Sequence, residues 1–126
     1  MSQEFKVEII CPDKSIYSGK TDEVILPCFE GQVTILKDHI PLITFLRPGL
    51  IEVGKSEKFY TEDGTVEFAE NNLLILSEKI KNLKDINTEQ KNLMIREAES
   101  DIANNRISDK QRYILNHKID ILKHIN

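Results

Sequence analysis

The sequence has little of what a disulfide-stapled or membrane-spanning protein needs. Its 126 residues include only two cysteines, Cys11 and Cys28, which are too few for a small secreted scaffold and form no CxxC or Cys/His pattern. The longest nearly apolar stretch, residues 40–46, falls far short of the ~20 residues that cross a bilayer. The N-terminal residues lack the basic and apolar regions of a signal peptide. We therefore expect a protein of a reducing compartment that stays where it is made and meets a membrane only through a partner.

Aromatic residues and positive charge are also scarce. Tryptophan is absent and aromatics make up only 6% of the chain, so platforms for stacking bases are poorly supplied. The formal charge is −4, whereas a nucleic-acid binder needs a basic excess to neutralise phosphates. The sequence therefore predicts no nucleic-acid partner. With 40% apolar and 30% charged residues, the chain has the composition of one ordinary soluble domain, with at most a small appendage.

Short apolar runs bounded by Gly, Pro or acidic residues fill residues 5–80 and are typical of an all-β domain. The runs at residues 5–9 and 24–26 are followed by Pro12 and Pro27, and we expect the strands to stop there because proline cannot donate to a ladder. Further strands are predicted over residues 33–36, 41–46, 50–53, 58–61, 65–68 and 73–77. Eight or more short strands indicate a sandwich or a barrel.

Two turns between these strands are predicted from their residues. Pro48-Gly49 suits a type II turn, in which proline takes the second position and glycine the third. Glu62-Asp63-Gly64 separates two β-prone runs and suits the turn of a hairpin.

After about residue 86 the apolar period changes from two to 3.6, and Gly and Pro no longer occur. Asn87 with Gln90, and Ser108 with Gln111, have the spacing of capping boxes that open helices. An apolar stripe follows each box: Met94, Ala98 and Ile102 beside Leu93 and Ile95, and then Leu115, Ile119 and Leu122 beside Ile114, Ile121 and Ile125. Two helices of about 15 to 18 residues joined by a short turn should pair antiparallel.

Charge divides at the same boundary. Residues 1–85 carry a net charge of −5, and residues 86–126 carry +1. Cations cluster in the second predicted helix, and the candidates for a basic, inhibitory face are Lys110, Arg112, Lys118 and Lys123. These side chains could attract an acidic partner, or they could simply form a solvated face and complement the helix macrodipole.

Compact catalytic and metal motifs are missing, since no GxGxxG, P-loop or HExxH pattern occurs. Cys11 or Cys28 with His39 could act as nucleophile and base, but neither cysteine has a glycine-rich or helix-entry setting that lowers a thiol pKa. His117 and His124 are seven residues apart, about 10 Å along a helix, which is too far for a shared zinc ion.

Glu62 and Asp63 form a carboxylate pair. Adjacent residues of a turn point in different directions, so a solvated turn explains them better than acid/base chemistry. We predict no catalytic, cofactor-binding or metal-binding residues. From these patterns alone, a β-sandwich adaptor or ligand-binding module and an unrecognised hydrolase both stay open.

The stretch EGQVTILKDHIPLITFLRPG, residues 30–49, resembles the signature region of the epsilon subunit of bacterial F-type ATP synthases, the counterpart of the mitochondrial delta subunit. The spacing of Gly31, residues 39–42 and Pro48-Gly49 carries the resemblance. The order of strands before helices matches as well, so the likeness covers essentially the whole chain.

The resemblance implies an all-β sandwich of ten strands in two sheets over residues 1–85, followed by an antiparallel α-helical hairpin over residues 86–126. It implies a non-catalytic rotor subunit of the central stalk that couples proton-driven rotation to ATP synthesis. The expected location is the cytoplasmic face of the bacterial inner membrane, where the subunit is peripheral and held through the complex.

The resemblance also implies partners. The loops expected near the c-subunit ring and the gamma subunit contain Glu30, Gly31, Gln32 and His39. The hairpin is expected to rise along gamma, reach the alpha and beta subunits and inhibit ATP hydrolysis.

The sequence departs from the family at several positions. Thr34 stands where the family usually has Gly, and Glu62-Asp63-Gly64 replaces a Gly-Gly turn. Some members bind ATP through an Ile-Asp-x-x-Arg-Ala pattern, and the matching residues here are Ile86-Asn87-Thr88-Glu89-Gln90-Lys91. Because the Asp and Arg that would make charge-assisted contacts are absent, we expect weak or no ATP binding.

Overall fold

The computed structural model describes residues 3–104 and 106–125. Ten strands come first, followed by a short 3₁₀ turn, Leu83–Asp85, and two helices. The strands are β1 (Phe5–Cys11), β2 (Lys14–Thr21), β3 (Glu23–Cys28), β4 (Gly31–Leu36), β5 (Leu42–Leu46), β6 (Gly49–Val53), β7 (Glu57–Thr61), β8 (Gly64–Ala69), β9 (Asn72–Leu76) and β10 (Ile80–Asn82). The helices are α1 (Thr88–Ile102) and α2 (Asp109–His124).

The strands form one hydrogen-bonded path that folds over into two stacked sheets. The first sheet has the order β10-β7-β6-β3-β4, and the second has the order β5-β8-β9-β1-β2. The sheets join where Cys28 of β3 pairs with Leu46 of β5. Strands β1 and β9 are parallel, and the other pairs are antiparallel. The predicted sandwich is therefore confirmed.

The core lies between the sheets and is built from side chains that alternate along each strand. Phe5, Val7 and Ile9 of β1 are at most 2% exposed, and Val24 and Leu26 of β3 meet them from the other sheet at 0%. Burying one such side chain contributes roughly 1.5–3 kcal/mol relative to leaving it in water. The sandwich therefore has its own core.

Strand β1 ends at Cys11, directly before Pro12, as the sequence predicts. The same expectation is wrong at Pro27, because β3 continues through it and pairs it with Gln32 of β4. In an antiparallel ladder the N–H and C=O of a residue point to the same side. The Pro27 carbonyl accepts a bond from the Arg47 N–H at 2.9 Å, on the side away from β4. The missing N–H therefore removes no bond from the β3–β4 ladder.

The expected hairpin turn at Gly64 is also wrong. Strand β7 pairs with β6 and β10, whereas β8 pairs with β5 and β9, so the connection crosses between the sheets. Gly64 has φ +149°, and a Cβ there would lie 2.6 Å from the Leu76 carbonyl oxygen. The glycine is needed for this close approach and for its backbone conformation.

Gly49 differs from expectation for a similar reason. A type II turn needs positive φ at its third residue, and Gly49 is not among the glycines with positive φ. A Cβ on Gly49 would lie 2.5 Å from the Cβ of Pro27. The small residue lets β6 pass close to β3 as the chain changes sheets.

Both helices begin as predicted. Asn87 and Ser108 are N-caps, and each forms a complete capping box with the glutamine three residues later. The helices run antiparallel: Arg112 Nη1 donates to the Ile102 carbonyl at 3.2 Å at one end, and Lys91 Nζ donates to the Ile125 carbonyl at 3.2 Å at the other. Neither described helix is long and apolar enough to span a membrane.

The helical hairpin lies on the outer face of the first sheet. Strand β7 turns Phe59 into the sandwich and Tyr60 outward, yet Tyr60 is only 2% exposed. Leu122 and Ile125 cover it in a second, smaller apolar cluster. Partly buried side chains of β6, the 3₁₀ turn and both helices complete this cluster: Leu50, Leu83, Ile86, Met94, Ile95 and Ile121. The hairpin is thus docked in this structure.

Candidate functional site

The structure brings Glu30, Gly31 and Gln32 together at the tight connection between β3 and β4. Gly31 has φ +125°, a conformation that favours glycine. Glu30 and Gln32 are exposed, and Glu30 Oε2 accepts a hydrogen bond from Thr44 Oγ1 at 2.9 Å. The bond joins the turn to β5 and holds one carboxylate oxygen at the end of the sandwich.

His39 lies at the opposite end of the sandwich, beyond the length of β4, which is about 17 Å at 3.3 Å per residue. Its ring packs edge-on to Phe68 with centroids 5.9 Å apart. The neighbouring Asp38 has φ 66°. Its backbone N–H donates to Asn71 Oδ1 at 2.7 Å, and Asn71 Nδ2 donates to Asp38 Oδ1 at 2.9 Å. The predicted site residues therefore form two separate regions, each supported by a contact between loops.

In the middle of strand β5 the usual alternation of inward apolar and outward polar side chains is reversed. Thr44 points into the core and is 4% exposed, whereas Ile43 and Phe45 point outward and are 76% and 57% exposed. Register places Phe45, Thr65 of β8 and Leu76 of β9 in one row across the outer face of the second sheet. An exposed apolar surface of this kind marks an interaction site.

We call the exposed apolar side chains of the second sheet, the end of β4 and the neighbouring loops the apolar strip. Its members are Phe29, Leu36, Ile40, Ile43, Phe45 and Leu76, which are 36% to 76% exposed. The sequence prediction did not name them as site residues. The signal was the sequence LITFL of β5, because a strand that is apolar at nearly every position is typical of one covered on both faces.

An open cleft of about 900 Å³ continues the apolar strip toward α2. Phe29 and Phe45 line it from the sandwich, Cys11 from the end of β1, and Ile114 from the helix, with Lys110 at the rim. Most of this lining is apolar, so the cleft offers contact area without a convergent set of catalytic groups.

Several side-chain contacts hold α2 against the sandwich. Lys118 Nζ lies 3.0 Å from Glu62 Oε1, and both side chains are less than one-fifth exposed. Tyr113 stacks on Phe29 with ring centroids 6.1 Å apart. Arg47 Nη1 donates to the Tyr113 hydroxyl at 3.4 Å. The docked hairpin is thus fastened by charge and stacking as well as by its apolar stripe.

The four predicted basic residues occupy two faces of α2. At 100° per residue, Arg112 and Lys123 lie about 20° apart and Lys110 and Lys118 about 80° apart. Arg112 bonds the end of α1, and Lys123 Nζ lies 3.9 Å from Glu99 Oε2 of α1. Lys118 contacts the sandwich, and Lys110 Nζ lies 6.0 Å from the centre of the Phe29 ring. In the docked state all four make contacts within the chain.

The structure separates the groups that sequence reasoning considered for catalysis. Cys28 is 0% exposed, and burial, with the Glu30 carboxylate beside it, raises the pKa of its thiol, which disfavours the thiolate. Both cysteines lie toward the end of the sandwich opposite His39. Within residues 3–104 and 106–125, no His, Cys, Asp or Glu cluster could hold a metal ion.

The carboxylates of Glu62 and Asp63 have separate partners. Glu62 contacts Lys118, whereas Asp63 Oδ1 accepts a bond from Ser77 Oγ at 3.3 Å. They therefore do not form an acid/base pair.

Known proteins match this chain both over the sandwich and over its full length. The family model for the delta/epsilon chain of ATP synthase, β-sandwich domain, matches residues 4–83. The ATP synthase epsilon chain of Pelagibacter ubique is 45% identical over 130 residues, with all of both chains covered. The chain belongs to the delta/epsilon family of ATP synthase subunits. The epsilon chain of Afipia carboxidovorans is 32% identical over 127 residues, covering 96% of this chain and 93% of that one.

Two solved structures share the fold of this chain over both the sandwich and the helical hairpin. A chain of the mitochondrial ATP synthase of Euglena gracilis, solved as OSCP/F1/c-ring, superposes with a TM-score of 0.75 at 16% identity, covering 98% of this chain and 79% of that one. A chain of the central stalk and c-ring of the Tetrahymena thermophila mitochondrial enzyme gives 0.67 at 16%, covering 94% and 92%. The family model and the full-length identity to an ATP synthase epsilon chain confirm the resemblance of residues 30–49.

Proposed function

We propose that the chain is the epsilon subunit of a proton-translocating F-type ATP synthase, a non-catalytic part of the central stalk that couples proton-driven rotation to ATP synthesis. Full-length identity of 45% to an ATP synthase epsilon chain supports this assignment. The fold is shared with chains of assemblies described as F1/c-ring and central stalk/c-ring. The alternative of a stand-alone adaptor or ligand-binding module is not favoured.

The reversed alternation of β5 is the structural observation that supports contact with a partner. A strand that buries Thr44 and exposes Ile43 and Phe45 presents apolar area that a partner must cover. We assign the apolar strip and the His39 loop to the gamma subunit. The turn with Glu30, Gly31 and Gln32 lies at the end of the sandwich opposite His39 and is assigned to the c-subunit ring.

A stalk subunit that transmits torque must resist shear. Two close-packed sheets have low compressibility. Hydrogen bonds between separate elements add to the stiffness. Thr44 joins the Glu30 turn to β5, the Arg47 N–H bonds Pro27 across the junction of the sheets, and Asn71 joins two loops at the far end. No cofactor is needed for a mechanical role.

We assign the helical hairpin, residues 86–126, a regulatory role distinct from the sandwich. Helices of about four turns are marginal alone in water, so they require a surface on which to dock. The sandwich provides one surface. Release would free the basic side chains of α2 to contact acidic surfaces of the alpha and beta subunits, in a position that inhibits ATP hydrolysis.

The proposal places the chain at the membrane only through its complex. We assign it to the cytoplasmic face of the bacterial inner membrane as a peripheral subunit. The described helices offer no membrane span, which agrees with attachment by way of the c ring.

Copurification tests the proposed assembly. The tagged chain, expressed in cells that contain the other ATP synthase subunits, should recover gamma, alpha, beta and c from detergent extracts. Phe45→Glu places a charge in the apolar strip and should abolish recovery. Leu93→Glu is the matched control, since Leu93 is 51% exposed on α1 and Phe45 57% exposed on β5. Failure of the unmodified chain to recover gamma, or equal recovery with both variants, would count against the proposal.

A further inference from the structure

His117 of α2 lies beside the aromatic contact through which Tyr113 joins this helix to the sandwich. The His117 ring meets Tyr113 edge-on with centroids 4.4 Å apart. Tyr113 stacks on Phe29 and accepts a hydrogen bond from Arg47. Lys110 Nζ lies 6.0 Å from the centre of the Phe29 ring. Because His117 follows Tyr113 by four residues on α2, the two side chains share the helix face that meets the sandwich.

The charges around His117 disfavour its protonated form in the docked state. From the sandwich it faces the Arg47 guanidinium, and from its own helix it faces the Asp120 carboxylate. Asp120 is 73% exposed and lies 3.6 Å from the His124 ring, so its attraction is weakened by solvent. The other nearby carboxylate at this interface, Glu62, is paired with Lys118.

We propose that His117 makes docking of the hairpin depend on pH, with the neutral ring favoured at the interface and its protonation weakening the contact of α2 with the sandwich. This pH response is a property of the chain itself and requires no partner subunit. Its consequence in the enzyme rests on the proposed function, because a released hairpin is the form that we expect to reach the catalytic subunits.

The direction follows from linkage between protonation and docking. Burial at the interface lowers the pKa of His117, the Arg47 charge lowers it further, and Asp120 opposes both in part. In the released helix the ring is in water and distant from Arg47, so its pKa returns toward the ordinary value of about 6.5. The released form then binds the proton more tightly. Docking is strongest above about pH 6.5 and weakens as the pH falls below that value.

Hydrogen exchange of the full chain tests the inference. After correction for intrinsic exchange rates, amide protection of α2 should fall between pH 7.5 and pH 5.5, while protection of the core strands should stay constant. His117→Gln keeps a polar side chain without the titration and should remove this pH dependence. His124→Gln is the matched control, because His124 is on the same helix and its side chain is 77% exposed; it should respond like the unmodified chain.

A second variant and a direct titration complete the test. His117→Lys keeps a positive charge at the interface and should lower protection of α2 at both pH values, with the sandwich still folded by circular dichroism. Carbon-13 labelling of histidine should give His117 a lower pKa in the native chain than in urea. If His117→Gln retains the pH dependence, or if the two pKa values are equal, the inference is wrong. Because these measurements need no partner, they stand apart from the outcome of copurification.

Discussion

Leu122 of α2 covers the outward-facing ring of Tyr60 on β7. The Tyr60 hydroxyl is buried by this contact and, among the residues that the structure describes, has no hydrogen-bond partner. Burial and the nearby Glu62 carboxylate raise its pKa far above the ordinary value, so the hydroxyl is neutral throughout the physiological range. The apolar attachment of the hairpin therefore contains an unsatisfied polar group.

We expect Tyr60→Phe to stabilise the docked hairpin. A buried hydroxyl without a partner costs about 1–3 kcal/mol, and removing it leaves the ring in place. Amide protection of α2 should rise by an amount in this range. Tyr113→Phe is the control, since the Tyr113 hydroxyl accepts a bond from Arg47; this change should lower protection or leave it unchanged. A loss of protection in Tyr60→Phe would show that the hydroxyl has a partner in solution.

The contact between Glu62 and Lys118 provides a second prediction. Removing one member of a partly buried charged pair leaves the other without its partner, so Glu62→Gln should weaken docking by about 1–3 kcal/mol. Glu62→Lys combined with Lys118→Glu restores opposite charges and should recover part of the loss. A double-mutant cycle read by hydrogen exchange measures the coupling. Additive effects of the two single changes would mean that the pair contributes nothing to docking.

Deletion of residues 86–126 tests the proposed regulatory role. The sandwich has its own core between the two sheets, so the shortened chain should still fold and assemble. ATP hydrolysis by the purified complex should then increase, because no hairpin remains to inhibit it. Copurification of gamma serves as the control for assembly. Unchanged hydrolysis by an assembled complex would exclude inhibition by the hairpin.

The start of α1 predicts weak or absent ATP binding. Asn87 and Gln90 stand where nucleotide-binding members have Asp and Arg, and here they bond each other: Gln90 N donates to Asn87 Oδ1 at 2.8 Å, and Asn87 N donates to Gln90 Oε1 at 3.1 Å. Both side chains are thus engaged in the capping box. Calorimetric titration should detect no micromolar affinity, and Asn87→Asp with Gln90→Arg should increase binding. Micromolar affinity of the unmodified chain would contradict this prediction.

Local features of the fold could be predicted from the sequence. Capping boxes depend on residues three positions apart, and both helices begin where Asn87 and Ser108 place them. Most core strands were found because alternation is also local. Strand β2, with the sequence KSIYSGKT, has few apolar residues and was missed, because pairing along β1 holds it rather than burial.

Features that depend on distant neighbours were predicted less well. The roles of Gly49 and Gly64 follow from contacts with Pro27 and Leu76, which sequence spacing does not reveal. Likewise, Glu30 and His39 are nine residues apart in the sequence but lie at opposite ends of β4. The surface that we propose for partner contact could not be predicted either, because which face of β5 lies outward depends on its pairing with β3 and β8.

The outward isoleucine and phenylalanine of β5 also affect the fate of copies made in excess. In the assembly that we propose a partner covers these side chains, whereas an orphan copy keeps them in water. We expect orphans to self-associate or to be recognised by chaperones and proteases, which bind exposed apolar segments. The geometry of one short strand would then help the cell match the amount of this subunit to the number of complexes that can accept it.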